Sequence, residues 1–289
     1  MKLKMSPRLM LAFSMAVFGT LGIFTRNINV SSGELALYRA MLAALLIIIY
    51  FAATGQRPGL RDTKREIPLL ILSGFSMGIN WILLFEAYKY TTVSKATLSY
   101  YFAPVIVTAV STFLFRERMT AKKLLCFVMS SIGLVMIIGT GEGAGGSDLK
   151  GIFFGLGAAF FYAAVMILNK LIKNTEGIRR TLLQFIAAII ILCPYVALSS
   201  GINIMGLGAV GIGCLLTVGL VHTGFTYCLY FSALKELKGQ EAAILSYIDP
   251  LVAMLVSVFI LGESMSLMQA VGGAMILGFT LLNELLNDS

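Results

Sequence analysis

Three ionisable side chains sit inside long apolar runs of this 289-residue chain: Arg39, His222 and Asp249. A carboxylate at the centre of a bilayer helix costs about 2.5–3.5 kcal/mol, so its presence points to cation recognition, proton binding or a local pair. The imidazole of His222, the single histidine, exchanges a proton near neutral pH. A joint proton-coupling role with Asp249 is therefore expected, against the plainer reading of His222 as a hydrogen-bonded helix contact. Arg39 keeps its charge in any protein environment. A structural ion pair with Glu34 or Glu86, near the same surface, is the expectation for it; snorkelling or an anionic substrate are the alternatives.

The polar side chains around these groups fall into matched pairs. Aligning Pro104 with Pro250 gives an offset of 146 that runs without a gap from Gly78–Glu117 to Gly224–Glu263, with 12 of the 40 positions identical. Composition alone would give about three, so the chain contains an internal repeat. His222 and Thr226, one helical turn apart, answer to Ser76 and Asn80. Polar pairs at equivalent sites suggest two walls of one central pocket. Trp81 and Tyr227 add aromatic surface on a face about 100° away, and the twins Tyr101 and Tyr247 stand one turn before the prolines. Pro104 and Pro250 are helix breaks shared by both halves, each removing a hydrogen bond near mid-span. Asp249 has Ala103 as its twin, so geometry alone does not demand its carboxylate.

The elements that must carry these residues are membrane helices. The chain is 58% hydrophobic and only 12% charged, outside soluble globular usage. Ten apolar spans are expected at roughly 8–26, 33–53, 67–88, 95–115, 122–140, 150–172, 178–198, 207–231, 241–261 and 267–286, each near the ~20 residues that cross a bilayer. The first is read as a retained helix and not a cleaved leader. Residues 1–145 and 146–289 then form two five-helix repeats, and an odd number inverts the second relative to the first. The glycine-rich stretch 139–151 reads as a flexible linker between them. Gly151, Gly155 and Ala159 form a small-residue face suited to close helix contact.

Charge sets the orientation. With the N-terminus inside, Lys2, Lys4, Arg8, Arg57, Arg61, Lys64, Arg65, Arg116, Arg118, Lys122, Lys123, Lys170, Lys173, Arg179, Arg180, Lys235 and Lys238 face the cytoplasm, 17 of the 22 Lys and Arg. Both termini are therefore expected to be cytoplasmic. The basic "FRERMTAKK" is matched in the second half by "LGESMSLMQ", which keeps Glu263 and has no Lys or Arg. The net charge of +8 is thus an insertion signal, and no clustered patch calls for a nucleic-acid partner.

The stretches "ELALYRAMLAALLIII", "LSYYFAPVIVTAVSTFLFRERMT" and "AAILSYIDPLVAMLVSVFILGESMSLMQAVGGAMIL" resemble the drug/metabolite transporter superfamily, EamA-type branch, over nearly the whole chain. The resemblance implies a ten-helix carrier in the cell (inner) membrane. Such carriers move small metabolites, amino acids or drugs by alternating access, usually as exporters. The small four-helix members of that superfamily rely on a first-helix glutamate; the first span here holds no acidic residue.

No cofactor or metal site is expected. Cys126, Cys193, Cys214 and Cys228 lack ligand spacing, and no Walker motif is present. An intramembrane enzyme acting on lipid is the first alternative, although HExxH and G-x-S-x-G are both missing. A non-transporting scaffold is the second, and it would pack apolar side chains around Asp249 and His222. Small-molecule substrate and lipid bilayer are the expected partners; a homodimer is left open.

Overall fold

The computed structural model describes residues 5–55, 64–114, 120–138, 146–175, 177–199, 201–234, 236–237 and 245–287. Its helices, in chain order, are α1 (Pro7–Gly19), α2 (Leu21–Thr25), α3 (Ser32–Thr54), α4 (Ile67–Tyr90), α5 (Val93–Tyr100), α6 (Ala103–Leu114), α7 (Ala121–Ile138), α8 (Gly146–Leu171), α9 (Gly177–Ser199), α10 (Ala209–Leu216), α11 (Thr226–Leu234), α12 (Ile248–Leu255) and α13 (Leu267–Asn287). A π-helical segment, Thr217–Phe225, joins α10 to α11, and a second, Val256–Ile260, extends α12. Among the described residues, seven helical stretches are long and apolar enough to cross a membrane.

Local chemistry explains the ends. Ser31 and Glu34 form a reciprocal capping box at the start of α3, and Gly55 closes it at φ 65°, the left-handed turn that glycine makes without strain. Ser6 caps α1 and Thr92 caps α5 through their hydroxyls. The prolines start new segments instead of bending continuous ones. Tyr101 and Phe102 form a turn between α5 and α6, and Pro104 falls in the first turn of α6. Tyr247 breaks the chain in the same way, with Pro250 in the first turn of α12. A first-turn proline gives up an N–H that has no helical partner anyway.

The start of α8 differs from the sequence expectation. Residues 139–145 lie outside the described residues, but Gly146–Lys150, read as linker, is already helical. Asp148 in that first turn accepts a hydrogen bond from the Thr91 hydroxyl and pairs with Lys95 at 2.7 Å. A carboxylate at a helix N-terminus also meets the favourable end of the dipole. The expected small-residue face behaves as read: Gly151 and Gly155 face Thr91, Ala96 and Ser99, and Ala159 is fully buried.

Packing contacts occur in matched pairs when residues 1–145 are exchanged with 146–289. Helix α4 packs along α8, as α11 does along α1; α3 meets the π-helical segment, as α9 meets α4. Two contacts are their own counterparts, α3 with α9 and α7 with α13. The last is a close approach from both sides: a Cβ on Gly133 would stand 2.6 Å from the Gly272 carbonyl oxygen, and one on Gly272 would stand 2.5 Å from that of Gly133.

At the α3–α4 connection, Glu66 holds the turn after α8. Its Oε1 accepts from the backbone N–H groups of Lys173 (2.7 Å) and Asn174 (2.9 Å), and its Oε2 from the Thr175 N–H (2.9 Å) and hydroxyl (2.8 Å). Arg180 satisfies the carbonyls that end α8, donating to Ile172 (2.8 Å) and Thr175 (2.6 Å). Burial pushes the Glu66 carboxyl up, but the hydrogen bonds from Asn174, Thr175 and Lys173 outweigh it and hold the group below 4.5.

Two outcomes follow from these contacts. Gly133→Leu or Gly272→Leu should destabilise the purified protein by about 1–3 kcal/mol through overpacking. Gly278→Leu, where the added Cβ meets nothing within 4 Å, should leave the thermal midpoint unchanged. For Glu66, a depressed folded-state value means that the carboxylate stabilises fully above about 4.5 and loses that contribution as pH falls through the folded value. Thermal midpoints of wild type and Glu66→Gln should therefore differ at neutral pH and converge in acid.

Candidate substrate cavity

Helices from both halves enclose a central cavity of about 370 Å³, at the small end of the ~300–1,000 Å³ typical of ligand sites. Its walls come from α1, α3, α4, the α5–α6 break, α8, α9, α11 and the α12 region. Both proline-started segments reach it, through Tyr101 and Pro104 on one side and Tyr247 and Asp249 on the other. The broken helices thus bring non-helical backbone to a cavity wall, where irregular structure is tolerated in a membrane.

Asp249 lies on that wall and accepts a 2.6 Å hydrogen bond from the Tyr101 hydroxyl on Oδ2. Arg39 lies on it as well. Its Nε donates to the Thr223 hydroxyl at 2.5 Å, and Thr223 in turn donates to the Val218 carbonyl at 2.8 Å. The guanidinium carbon stands 4.6 Å from the Trp81 ring centroid and 5.7 Å from that of Phe85, a cation–π seat that holds the charge away from lipid. The remaining wall is strongly aromatic. Tyr100 stacks on Tyr162 at 5.0 Å, and Tyr227 meets Phe18 edge-on at 5.2 Å.

Of the residues expected from sequence, Trp81, Tyr101, Tyr227, Tyr247 and Asp249 share this wall, with Pro104 beside them. Among the described residues, Ser76, Asn80, His222 and Thr226 are not part of it. Each is buried and turned to a neighbouring backbone or hydroxyl. Ser76 donates to the Leu72 carbonyl, Thr226 to that of Val221, and the Asn80 amide crosses to the Ala158 carbonyl at 2.7 Å. His222 places Nε2 3.0 Å from the Thr20 hydroxyl and Nδ1 3.3 Å from the Thr217 carbonyl, with its ring against Phe24. It ties the π-helical segment to the α1–α2 junction. Pro250 is buried behind Asp249 in the α12 first turn.

Arg39 pairs with neither Glu34 nor Glu86. Glu34 is satisfied by the Ser31 and Asn203 backbone N–H groups and the Tyr38 hydroxyl, while Glu86 pairs with Lys89 at 3.1 Å. Arg39 points instead toward Trp81 and Thr223, and both carboxylates are already taken by other partners. Sequence reasoning also missed Tyr88, Tyr100, Tyr162 and Gln184 as wall residues. They come from four separate helices, so no spacing within one run marks them.

Near the α1–α2 junction the chain packs closely against the cavity. A Cβ on Gly19 would lie 2.6 Å from the Asp249 carbonyl oxygen, and one on Gly22 would lie 2.7 Å from a Val93 methyl. Beyond them Glu263 joins three elements. It accepts from Arg26 after α2, from the Val93 N–H at 2.8 Å at the start of α5, and from Ser257 in the second π-helical segment. Elsewhere the wall runs out to Asn169, Thr181 and Gln184.

A model of the EamA-like transporter family matches this chain twice, at residues 5–139 and 149–284. The uncharacterized transporter YxxF of Bacillus subtilis is 30% identical over 283 residues, 95% of this chain and 88% of its own length. An uncharacterized transporter of Archaeoglobus fulgidus is 30% identical over 274 residues, 94% of each chain. A probable amino-acid metabolite efflux pump of Salmonella typhimurium is 25% identical over 234 residues, 76% of this chain and 78% of its own. A solved crystal structure at 16% identity superposes with a TM-score of 0.68, covering 98% of this chain and 99% of that one; at this identity the match shows a shared fold.

The division of polar residues between wall and packing predicts different costs. Asn80→Ala removes a bond between two helices and should lower stability by about 0.6–2 kcal/mol. Ser76→Ala removes one within a single helix and should stay within about 0.5 kcal/mol. Thermal unfolding of the purified variants checks the contrast.

Proposed function

The chain belongs to the EamA-like transporter family, and from that premise we propose that it is a secondary active transporter exporting small metabolites, amino acids or drugs. In this reading it crosses the cell (inner) membrane ten times as two inverted five-helix repeats, residues 1–145 and 146–289, with both termini cytoplasmic. The family and the relatives carry the names of transporters rather than enzymes. One of them is named a probable amino-acid metabolite efflux pump.

The observation that carries the proposal is the cavity itself: it is walled by both halves, with close helix contacts at Gly19 and Gly22. The positive-inside orientation puts the Arg26–Glu263 end outside and the Asn169–Gln184 end toward the cytoplasm. A substrate enters from inside, the two repeats rock about it, and the Glu263 contacts part to release it. Alternating access of this kind centres on a site at the repeat interface. Asp249 is the coupling group in this scheme, because it is a carboxylate open to the cavity. His222 contributes at one remove, by holding Thr20 between the wall residues Gly19 and Leu21.

Transport into proteoliposomes tests the proposal. Purified protein should move at least one member of a metabolite and drug panel, faster with a pH gradient than without. Folded protein that moves none of them would overturn the transporter reading. Gradient dependence that survives Asp249→Ala would remove Asp249 from the coupling step.

A further inference from the structure

The cavity wall carries a guanidinium, Arg39, and a carboxyl group, Asp249, that do not pair with each other. Arg39 spends one of its five N–H donors on Thr223; among the described residues the other four meet no hydrogen-bond acceptor and no carboxylate within ion-pair distance. Asp249 uses Oδ2 for Tyr101, and Oδ1 has no partner among the described residues. No direct ion pair joins Arg39 to Asp249, yet both line the same cavity together with Tyr88 and Tyr227. The two charges therefore face a common space across an aromatic lining.

Leaving either charge unpaired within a bilayer is expensive, so each must answer to something that enters. A static role would have joined them, since a hydrogen-bonded pair costs far less than two separate buried ions. The repeat sharpens the point. By the same offset of 146, Arg39 has Phe185 of α9 as its counterpart. Asp249 has Ala103 as its twin. Each half contributes a single charge, of opposite sign, where its counterpart is neutral, so the pseudo-symmetric cavity is electrically polar.

We propose that the cavity binds a small zwitterion, its carboxylate on the Arg39 guanidinium and its ammonium on Asp249. This rests on the transporter reading for its purpose but not for its test. The planar guanidinium edge left free by Thr223 suits two parallel hydrogen bonds to a carboxylate. The free Oδ1 of Asp249 accepts from an ammonium, whose positive charge the neighbouring Tyr101 and Tyr247 rings also favour. The cavity of about 370 Å³ limits the body between these ends to a small group, and its aromatic wall favours an apolar one.

Binding to the full-length protein in nanodiscs, measured by calorimetry, separates the possibilities. The standard L-amino acids form the first panel. L-phenylalanine is then compared with 3-phenylpropanoate, which lacks the amine, and with phenethylamine, which lacks the carboxylate. Each truncated compound should bind at least about tenfold more weakly than the zwitterion, since a hydrogen bond to a charged group is lost. Arg39→Gln should weaken L-phenylalanine about tenfold and leave phenethylamine unchanged; Asp249→Asn should weaken L-phenylalanine and leave 3-phenylpropanoate unchanged. Arg39→Lys, which keeps the charge without the fork, should fall between. No binding by any amino acid, or binding of either truncated compound as tight as the zwitterion, overturns the proposal, and the wild-type series decides this even if a variant misfolds. Tight zwitterion binding with no flux in proteoliposomes would instead sink the transporter reading and leave the site standing. Flux of purely cationic or purely anionic compounds alone would do the reverse.

Discussion

Hydrocarbon supplies no hydrogen-bond partner, and every departure from plain helix in this chain is shaped by that deficit. The clearest case is the segment Thr217–Phe225, where the helix widens to a π turn. A π turn shifts the backbone acceptors by one residue, and three side chains respond at the same spacing. His222 Nδ1 meets the Thr217 carbonyl, Thr223 the Val218 carbonyl, and Thr226 the Val221 carbonyl, each five residues back. Two of these side chains then reach outward, Thr223 to Arg39 and His222 to Thr20. A local irregularity thus fixes a charge on the cavity wall and anchors the first helix beside it. π turns are frequent at functional sites for this reason.

Close backbone approach is the second consequence. Without a hydrophobic drive between helices in lipid, contact must come from packing, and small residues permit it. Gly133 and Gly272 bring α7 and α13 together away from the cavity, while Gly19 sets α1 against the chain at Asp249. These contacts differ in kind. The first joins α7 and α13 through Met275 and Ile276 on one side and Met136 and Ile137 on the other. The second lies on the cavity rim, next to the Arg26–Glu263 contact, where parting and closing would change access to the interior.

Much of the scaffold was legible in the sequence because its signals are local. Apolar length located long helices such as Ser32–Thr54, Ile67–Tyr90 and Gly177–Ser199 to within a few residues, and the paired prolines announced both breaks. What the sequence obscured depends on partners far along the chain. The glycine-rich run before Gly151 looked like linker, yet Thr91 and Lys95, more than fifty residues earlier, draw Asp148 and its turn into α8. Arg39 looked paired because two carboxylates lay near its level, but the capping box and Asn203 occupy Glu34, and Lys89 occupies Glu86. His222 and Asn80 looked like pocket walls because they are polar inside apolar runs. A buried polar group in lipid needs a partner as much as a ligand site does, and polarity alone does not distinguish the two.

The internal repeat separates the two cases. Where both halves keep a residue, as with Pro104 and Pro250 or Tyr101 and Tyr247, the role belongs to the shared architecture. Where one half changes it and the side chain still turns to a backbone carbonyl, as with Ser76 and Asn80, the role is packing. A different role remains where one half places a charge, its counterpart does not, and the charge faces the cavity. Arg39 against Phe185 and Asp249 against Ala103 both meet that description. An exchange of the halves would not map these two ionisable groups onto one another. In the proposed transport cycle the walls open alternately to either side while the polarity of the site stays fixed to the protein, and a bound molecule with two unlike ends would keep one orientation throughout.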